Sequence, residues 1–241
     1  MYGMLSEFCF TKANLDRYLK DVAKEFRKRN GPGAQAEIIL IGGASVVINY
    51  GFRESTYDMD ALIIAASSMK DAINHVGNKY GLPQGWLNDD FRKTSSYSPK
   101  IVQYSKYYHT YSNSVTFRTV TGAHLLAMKL VSARQYKYDR SDVIGILWEQ
   151  DKAGQPLTPE MIKEAVEDLY GSYEVLDEEI RQFVENALKN GNYEALYADV
   201  RQIEMENKGY LLEYQEKKAG ILKDDNVNTI LEILRKKKEN R

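Results

Sequence analysis

The strongest constraint on the fold of this chain lies in one continuous segment, IILIGGASVVINYGFRESTYDMDALII. Its first apolar run, residues 38–41, is typical of a buried strand, and the Gly42-Gly43 pair that follows predicts a turn. A short helix is predicted over residues 44–50 and a second strand over residues 58–64. The segment therefore predicts strand, glycine turn, helix and strand in that order, which belongs to folds that mix helices with a sheet.

Two aspartates, Asp58 and Asp60, lie two positions apart in the second predicted strand. Side chains two apart on a strand point to the same face, so the two carboxylates are expected side by side. Their apolar neighbours predict a buried strand, in which unpaired carboxylates are costly unless a cation lies between them. Oxygen ligands of this kind suit Mg²⁺, which proteins commonly hold with one or two carboxylates plus substrate phosphates. The pattern alone also fits a solvated strand edge.

The residues around the glycine pair are candidates for binding phosphate. Gly42 and Gly43 allow a close approach of the backbone, and the start of the following helix offers unpaired N–H groups to an anion. Ser45, at this helix start, is expected to hold a phosphate oxygen, although a serine there also suits a helix cap. Gly-Gly after a strand is otherwise an ordinary tight turn.

The order of these residues resembles the signature of the nucleotidyltransferase superfamily that includes DNA polymerase β. Ile41-Gly42-Gly43 and Asp58-Met59-Asp60 match that signature, and the string with Arg53, Thr56 and Asp58 is similar to the AbiEii-like branch. The resemblance covers roughly residues 11–148.

The resemblance implies an activity, its cofactor and its partners. It implies transfer of a nucleoside monophosphate from an NTP, dependent on Mg²⁺ or Mn²⁺, to a hydroxyl group of RNA such as tRNA, of a protein or of a small molecule. Asp58 and Asp60 would hold the metal and act in catalysis. The AbiEii-like branch also implies a role in a toxin–antitoxin pair or in phage defence, with an antitoxin-type protein as partner.

The chain departs from this family at one point. The family often carries a third acidic residue on a later strand, and the strand predicted over residues 114–120 has none. Asp89 and Asp90 lie in a predicted loop and are poor substitutes. Two alternatives therefore stay open, a metal site with two carboxylates or a catalytically idle nucleotide-binding or protein-interaction module with the same fold.

Further charged residues are candidates for the same site. Lys129 lies in a helix that is apolar almost all round, so it must reach solvent, pair with an acid or face a cleft. The resemblance implies that it contacts nucleotide phosphates and that an acid downstream, Asp139 or Asp142, accompanies it. Either aspartate also suits the first turn of a helix, where its negative charge interacts favourably with the helix dipole. Arg53 is expected to bind triphosphate or to anchor its loop through a salt bridge.

Composition divides the chain near residue 150. The formal charge of −1 is the sum of +5 in residues 1–150 and −6 in residues 151–241. The first part carries all the predicted strands, including one over residues 100–104, and the second part is helical throughout. We predict an α+β protein, with a nucleotidyltransferase-like mixed sheet flanked by helices over residues 1–150 and a helical bundle over residues 151–241. No apolar run reaches the ~20 residues of a membrane span, so a cytoplasmic protein without membrane contact is expected.

Overall fold

A mixed sheet of five strands occupies the N-terminal half of the computed structural model, which describes residues 8–218, 220–223 and 226–239. The short strands β1 (Phe10–Thr11) and β3 (Ser55–Thr56) pair with each other apart from this sheet. The sheet itself contains β2 (Ala36–Leu40), β4 (Met59–Ile64), β5 (Leu87–Asn88), β6 (Ser105–Tyr111) and β7 (Val115–Val120). Their spatial order is β5-β4-β2-β7-β6, in which the β2–β7 and β4–β5 pairs are parallel and the β2–β4 and β6–β7 pairs antiparallel.

Helices surround the sheet and fill the second half of the chain. They are α1 (Lys12–Asn30), α2 (Gly42–Asn49), α3 (Ser68–Tyr80), α4 (Gly122–Ser132), α5 (Asp139–Lys152), α6 (Pro159–Tyr170), α7 (Glu178–Asn190), α8 (Tyr193–Lys217) and α9 (Val227–Glu239). This arrangement confirms the predicted α+β class, a mixed sheet followed by a helical region. None of the helices within the described ranges is both long and apolar enough to cross a bilayer.

Local signals set several of the helix boundaries. Helix α1 begins at a capping box, in which the Thr11 hydroxyl accepts from the Asn14 amide and the Asn14 side chain accepts from the Thr11 amide. Helix α6 begins with Thr158 as its cap and Pro159 in its first turn, a combination that favours a helix start. Such starts depend only on neighbouring residues, which is why the sequence predicts them.

Three local predictions need correction. Residues 100–104 do not form a strand, because Ser98 caps a 3₁₀ helix over Pro99–Val102, and the strand begins only at Ser105. Gly42 and Gly43 are not a separate turn but the first residues of α2. Asp58 lies just before β4 rather than inside it, since the strand begins at Met59.

Two apolar clusters lie on opposite faces of the sheet. Alternation along β2 sends Ile39 to one face and Ile38 and Leu40 to the other. The first cluster packs the sheet against α4, α5, α6 and α7, and the second packs it against α1 and α3. The first cluster contains residues of the sheet, which precede residue 150. It also contains Ile162 and Val184, which follow that residue. The division into domains at that residue stays a prediction.

Candidate functional site

A polar pocket of about 660 Å³ opens where α2 and β4 begin. Its volume lies within the range of small-molecule sites. The chain's C-terminal helix reaches it as well, through the first residues of α9. The charged and glycine residues that line it are Gly42, Gly43, Arg53, Asp58, Asp60, Asp90, Lys93, Lys129, Arg134, Lys137 and Asp139. Most of the sequence-predicted site residues are therefore brought together in one cavity.

The two motif aspartates stand together in this pocket. The Thr56 hydroxyl donates to Asp58 Oδ1 at 3.3 Å, whereas within the described part of the chain no hydrogen bond reaches the Asp60 carboxylate. Burial raises the pKa of Asp60 above its usual range, and the charge of Asp58 raises it further, while Arg134 and two lysines oppose the shift. A half-buried carboxylate next to a second one, with no donor of its own, has the chemistry of a divalent-cation ligand.

A metal here would have few protein ligands. Among the described residues, no group of three or more acidic, histidine or cysteine side chains is arranged to hold a metal ion. Asp139, another of the four carboxylates that line the pocket, is fully buried and is bound by Lys129 and Arg134. The donor set therefore fits Mg²⁺ held by Asp58 and Asp60 with further oxygens from substrate and water, which is the usual pattern for this ion.

The start of α2 lines the pocket beside Asp60. Gly42 has a φ of +55°, and a Cβ atom there would lie 3.8 Å from Asp60 Oδ2. A Cβ atom at Gly43 would lie only 2.4 Å from Thr56 Oγ1. The capping residue is Ile41, whose side chain cannot accept a hydrogen bond, so the first N–H groups of α2 have no side-chain cap. Such N–H groups, at the positive end of a helix, suit an anion.

Beneath the pocket, five buried or half-buried charges form one network. Asp142 accepts from Arg53 and from Lys129, each at 2.7 Å, and Asp139 accepts from Lys129 at 2.9 Å and from Arg134 at 2.7 Å. Three cations thus face two anions, so the network carries a net positive charge. Arg53, Lys129 and Arg134 line the pocket.

The network favours the charged forms of Lys129 and Asp139. Burial favours the neutral form of Lys129, but Asp139 and Asp142 hold its pKa above the usual range. Burial likewise opposes ionisation of Asp139, and Lys129 and Arg134 nevertheless hold its pKa below the usual value. Lys129 has three N–H donors, and its two aspartate partners use two of them. No third acceptor lies at Lys129 Nζ among the described residues, and the side chain lines the pocket, so one N–H is available to a ligand there.

Ser45 requires a correction. Its side chain is fully buried and does not line the pocket. The hydroxyl donates to the Leu40 carbonyl at 2.6 Å and accepts from the Val120 amide at 3.2 Å, and so ties α2 to strands β2 and β7. A hydroxyl used in this way does not face a phosphate. The sequence left open whether Arg53 and Lys129 form ion pairs. Arg53 pairs with Asp142, and Lys129 pairs with Asp139 and Asp142.

Several pocket residues were not predicted as site residues. Lys137 follows α4 in a short polar segment, and Lys93 and Asp90 pair with each other at 2.5 Å on the exposed rim. Val227 and Asn228 come from α9 and carry no sequence signal, because only the path of the distant helix brings them to the pocket.

Comparison with known families agrees with this geometry. A family model described as "Nucleotidyltransferase of unknown function (DUF6036)" matches residues 17–153, more than half of the chain. The chain belongs to this nucleotidyltransferase family. The match supports the superfamily resemblance, whereas the AbiEii-like branch is not confirmed. No curated protein matches the chain, and neither does any solved structure. The nucleotidyltransferase match includes α2, β4, Lys129 and both network aspartates, and it ends before α6 begins.

Proposed function

We propose that the chain transfers a nucleoside monophosphate from an NTP to an acceptor hydroxyl, with Mg²⁺ or Mn²⁺ held by Asp58 and Asp60. The observation that carries this proposal is the convergence of those two carboxylates with the uncapped start of α2 in one positively charged pocket. Family membership supports the reaction class. A cytoplasmic location, where NTPs are available, is part of the proposal.

Each part of the pocket has a place in this reaction. The N–H groups at Gly42 and Gly43, the free donor of Lys129 and the guanidinium groups of Arg53 and Arg134 bind and orient the triphosphate. A divalent ion, when bound, would reduce the repulsion that an attacking oxygen meets at the α-phosphate. The buried network fixes the cations in place before the substrate arrives, which is the condition for electrostatic catalysis.

The transfer step itself is a substitution at phosphorus. The acceptor oxygen forms a bond to the α-phosphorus, and the bond from that phosphorus to the bridging oxygen breaks. Pyrophosphate leaves with the electron pair, and the acceptor proton passes to one of the two aspartates.

Binding of each common NTP by the full chain, with and without Mg²⁺, tests the proposal first. We expect Mg²⁺-dependent binding that Asp60→Asn weakens by at least about tenfold, the loss that even an outer partner of a metal site causes. Asp71→Asn removes an exposed carboxylate from α3 outside the pocket and is the matched control. Absence of Mg²⁺-dependent binding, or an equal loss in both variants, would overturn the proposal.

A second assay separates an active enzyme from an idle one. NTPs labelled at the α-phosphate are incubated with the chain and with total RNA, total protein or small hydroxyl compounds. Transfer of label that Asp58→Asn and Asp60→Asn abolish supports the enzyme. Tight binding of Mg-NTP with no transfer to any acceptor supports the alternative, an idle nucleotide-binding module, which the engagement of Asp139 by two cations favours. A toxin–antitoxin or phage-defence role stays a prediction from the resemblance.

A further inference from the structure

A second cavity adjoins the pocket on the side of the C-terminal helices. It has a volume of about 320 Å³ and lies between the segment that follows α4 and the α8–α9 pair. The two cavities adjoin, because both are lined by Tyr136, Lys137 and Val227. We call this second cavity the lysine groove, after the residues on its rim.

The lysine groove combines an apolar floor with a positive rim. Leu211, Leu212 and Leu222 supply apolar surface, and Leu212 is 51% exposed. Lys137, Lys208 and Lys223 stand around it. Within the described ranges, none of these ammonium groups has a carboxylate within 4.0 Å, unlike Lys129 or Lys238. Positive charge that no described carboxylate pairs with, next to an apolar floor, suits an anionic ligand that also carries an apolar or flat group.

One of these lysines links the lysine groove to the catalytic aspartates. Lys208 Nζ lies 5.0 Å from the ring centroid of Tyr57, which is 46% exposed and precedes Asp58 in the chain. An aromatic ring, a lysine and the metal-binding aspartates therefore follow one another along the surface. A ligand in the lysine groove would have its end beside the pocket in which the α-phosphate is expected.

We propose that the lysine groove is the acceptor site and that it takes the terminal nucleotides of a single nucleic-acid strand. This inference rests on the proposed function. Single-stranded nucleic acid alternates flat bases with phosphates, and proteins bind it with aromatic and apolar platforms beside a positive groove. The leucine floor fits the bases, and Lys137, Lys208 and Lys223 fit the phosphates. An acidic peptide would match the lysines but would leave the apolar floor unused.

The position of the lysine groove assigns acceptor choice to one part of the chain. The family match ends at residue 153, and all but two of the residues that line the lysine groove lie beyond it, between residues 208 and 227. Residues that bind nucleotide and metal lie inside the match. We infer that the helices outside the matched region select the acceptor, while the matched region carries out the transfer.

Fluorescence anisotropy with a labelled single-stranded RNA of about eight nucleotides, the site size of many such proteins, tests this inference. The full chain is used in EDTA without NTP. We expect the Lys137→Gln/Lys208→Gln variant to bind about tenfold more weakly, and the slope of log affinity against log salt to fall by about 0.7 per lysine. Lys20→Gln on α1 removes the same charge away from the lysine groove and should leave both quantities unchanged.

A second variant tests the apolar floor. Leu212→Glu alters an exposed side chain, so the fold should be retained, and it places a negative charge in front of a phosphate. Because like-charge contacts cost several kcal/mol, we expect RNA affinity to fall about tenfold or more. Wild-type affinity in this variant would overturn the inference. Equal displacement of the RNA by a glutamate-rich peptide would also overturn it and assign the lysine groove to an acidic protein segment.

The two proposals fail separately. RNA binding in EDTA requires neither metal nor turnover, and binding of Mg-NTP does not require the lysine groove. If Mg-NTP binds in an Asp60-dependent way but the RNA does not bind, the acceptor inference is overturned and the proposed function stands. If the RNA binds through the lysines but no NTP binds, the lysine groove is a nucleic-acid site. Its role as an acceptor site is then overturned together with the proposed function.

Discussion

Gly43 is the pocket residue with the least room for a side chain. A Cβ atom there would lie 2.4 Å from Thr56 Oγ1 and 3.1 Å from Arg53 Nη2. Both neighbours are held by other contacts, since Arg53 binds Asp142 and Thr56 donates to Asp58. We expect Gly43→Ala to lower the free energy of unfolding by about 1–3 kcal/mol, as other overpacking changes do, and to weaken binding of Mg-NTP.

Urea denaturation and calorimetric titration with Mg-NTP measure the two effects. Gly33→Ala is the matched control, because nothing lies within 4 Å of a Cβ atom at Gly33. Equal stability and equal nucleotide affinity in the two variants would show that the α2 start tolerates a side chain and that its close approach to Thr56 has no role.

Asp142 makes two of the four ion pairs of the buried network. It pairs with both Arg53 and Lys129 and is fully buried. Asp142→Asn keeps the shape but leaves two buried cations with less compensation, and breaking a buried pair in this way costs about 3–5 kcal/mol. Asp89→Asn, which removes one exposed partner of Arg92, is the control and should change stability by about 0–1 kcal/mol. Similar urea midpoints for both variants would contradict this expectation.

At this scale the sequence predicts residue types better than side-chain directions. Gly42, Gly43, Asp58 and Asp60 were predictable because the motif is local and each residue type has a specific chemistry. Ser45 belongs to the same motif, yet its hydroxyl points to β2 and β7. That direction depends on which strands pack beside α2, which no local pattern contains.

At the scale of elements, Glu204 couples α8 to α5. Its carboxylate accepts from the backbone amides of Arg140 at 2.9 Å and Ser141 at 3.4 Å, at the start of α5. Burial raises the pKa of Glu204 to about 7, although these hydrogen bonds oppose the shift. The folded state therefore binds the proton more tightly than the unfolded chain does. The resulting stabilisation is complete below the ordinary pKa of 4.5 and is lost as the pH rises towards 7.

The Glu204→Gln variant removes this titration but keeps an oxygen acceptor for the α5 amides. Relative to the variant, the wild-type free energy of unfolding should fall by about 2–3 kcal/mol between about pH 5 and about pH 8. Urea denaturation across this range measures the difference. Parallel pH profiles for the two proteins would contradict the expected proton linkage.

The strands predicted over residues 38–41, 58–64 and 114–120 correspond to β2, β4 and β7, whereas the start of β6 was predicted wrongly. Helices α1 and α6 carry their own caps at Thr11 and Thr158. Strand β6 forms because it pairs with β7, so the local sequence does not fix where it begins. Residues 100–104 were predicted as a strand, but a 3₁₀ helix that starts at Pro99 occupies most of them. Pairing partners are distant in sequence, so periodicity alone does not reveal them.

At the scale of the whole molecule, the first apolar cluster joins the sheet to α6 and α7. Trp86 lies in the second cluster, whereas Trp148 lies on α5 beside Tyr197 of α8. Because the first cluster crosses residue 150, we expect one cooperative unfolding transition. Single-tryptophan variants, Trp86→Phe and Trp148→Phe, should give the same urea midpoint by fluorescence. Separate midpoints would instead support independent units on the two sides of residue 150.

The arrival of α9 at the pocket is the feature least accessible from sequence. Nothing in the local pattern of Val227 and Asn228 distinguishes them from other helix residues, and their place depends on the path of the preceding helices. The part of the pocket around Asp58 and Asp60 is thus encoded in a short motif, while the part that α9 forms depends on long-range packing.

The five-charge network beneath the pocket also has an evolutionary consequence. Loss of the charge of Asp139 or Asp142 leaves Lys129 and one arginine each without one of their buried carboxylate partners. Lineages can therefore leave this arrangement only through paired substitutions, or through an intermediate protein too unstable to persist. We expect the five positions to change together among homologues, so that their covariation preserves the ancestral charge pattern long after the surface around the pocket has diverged.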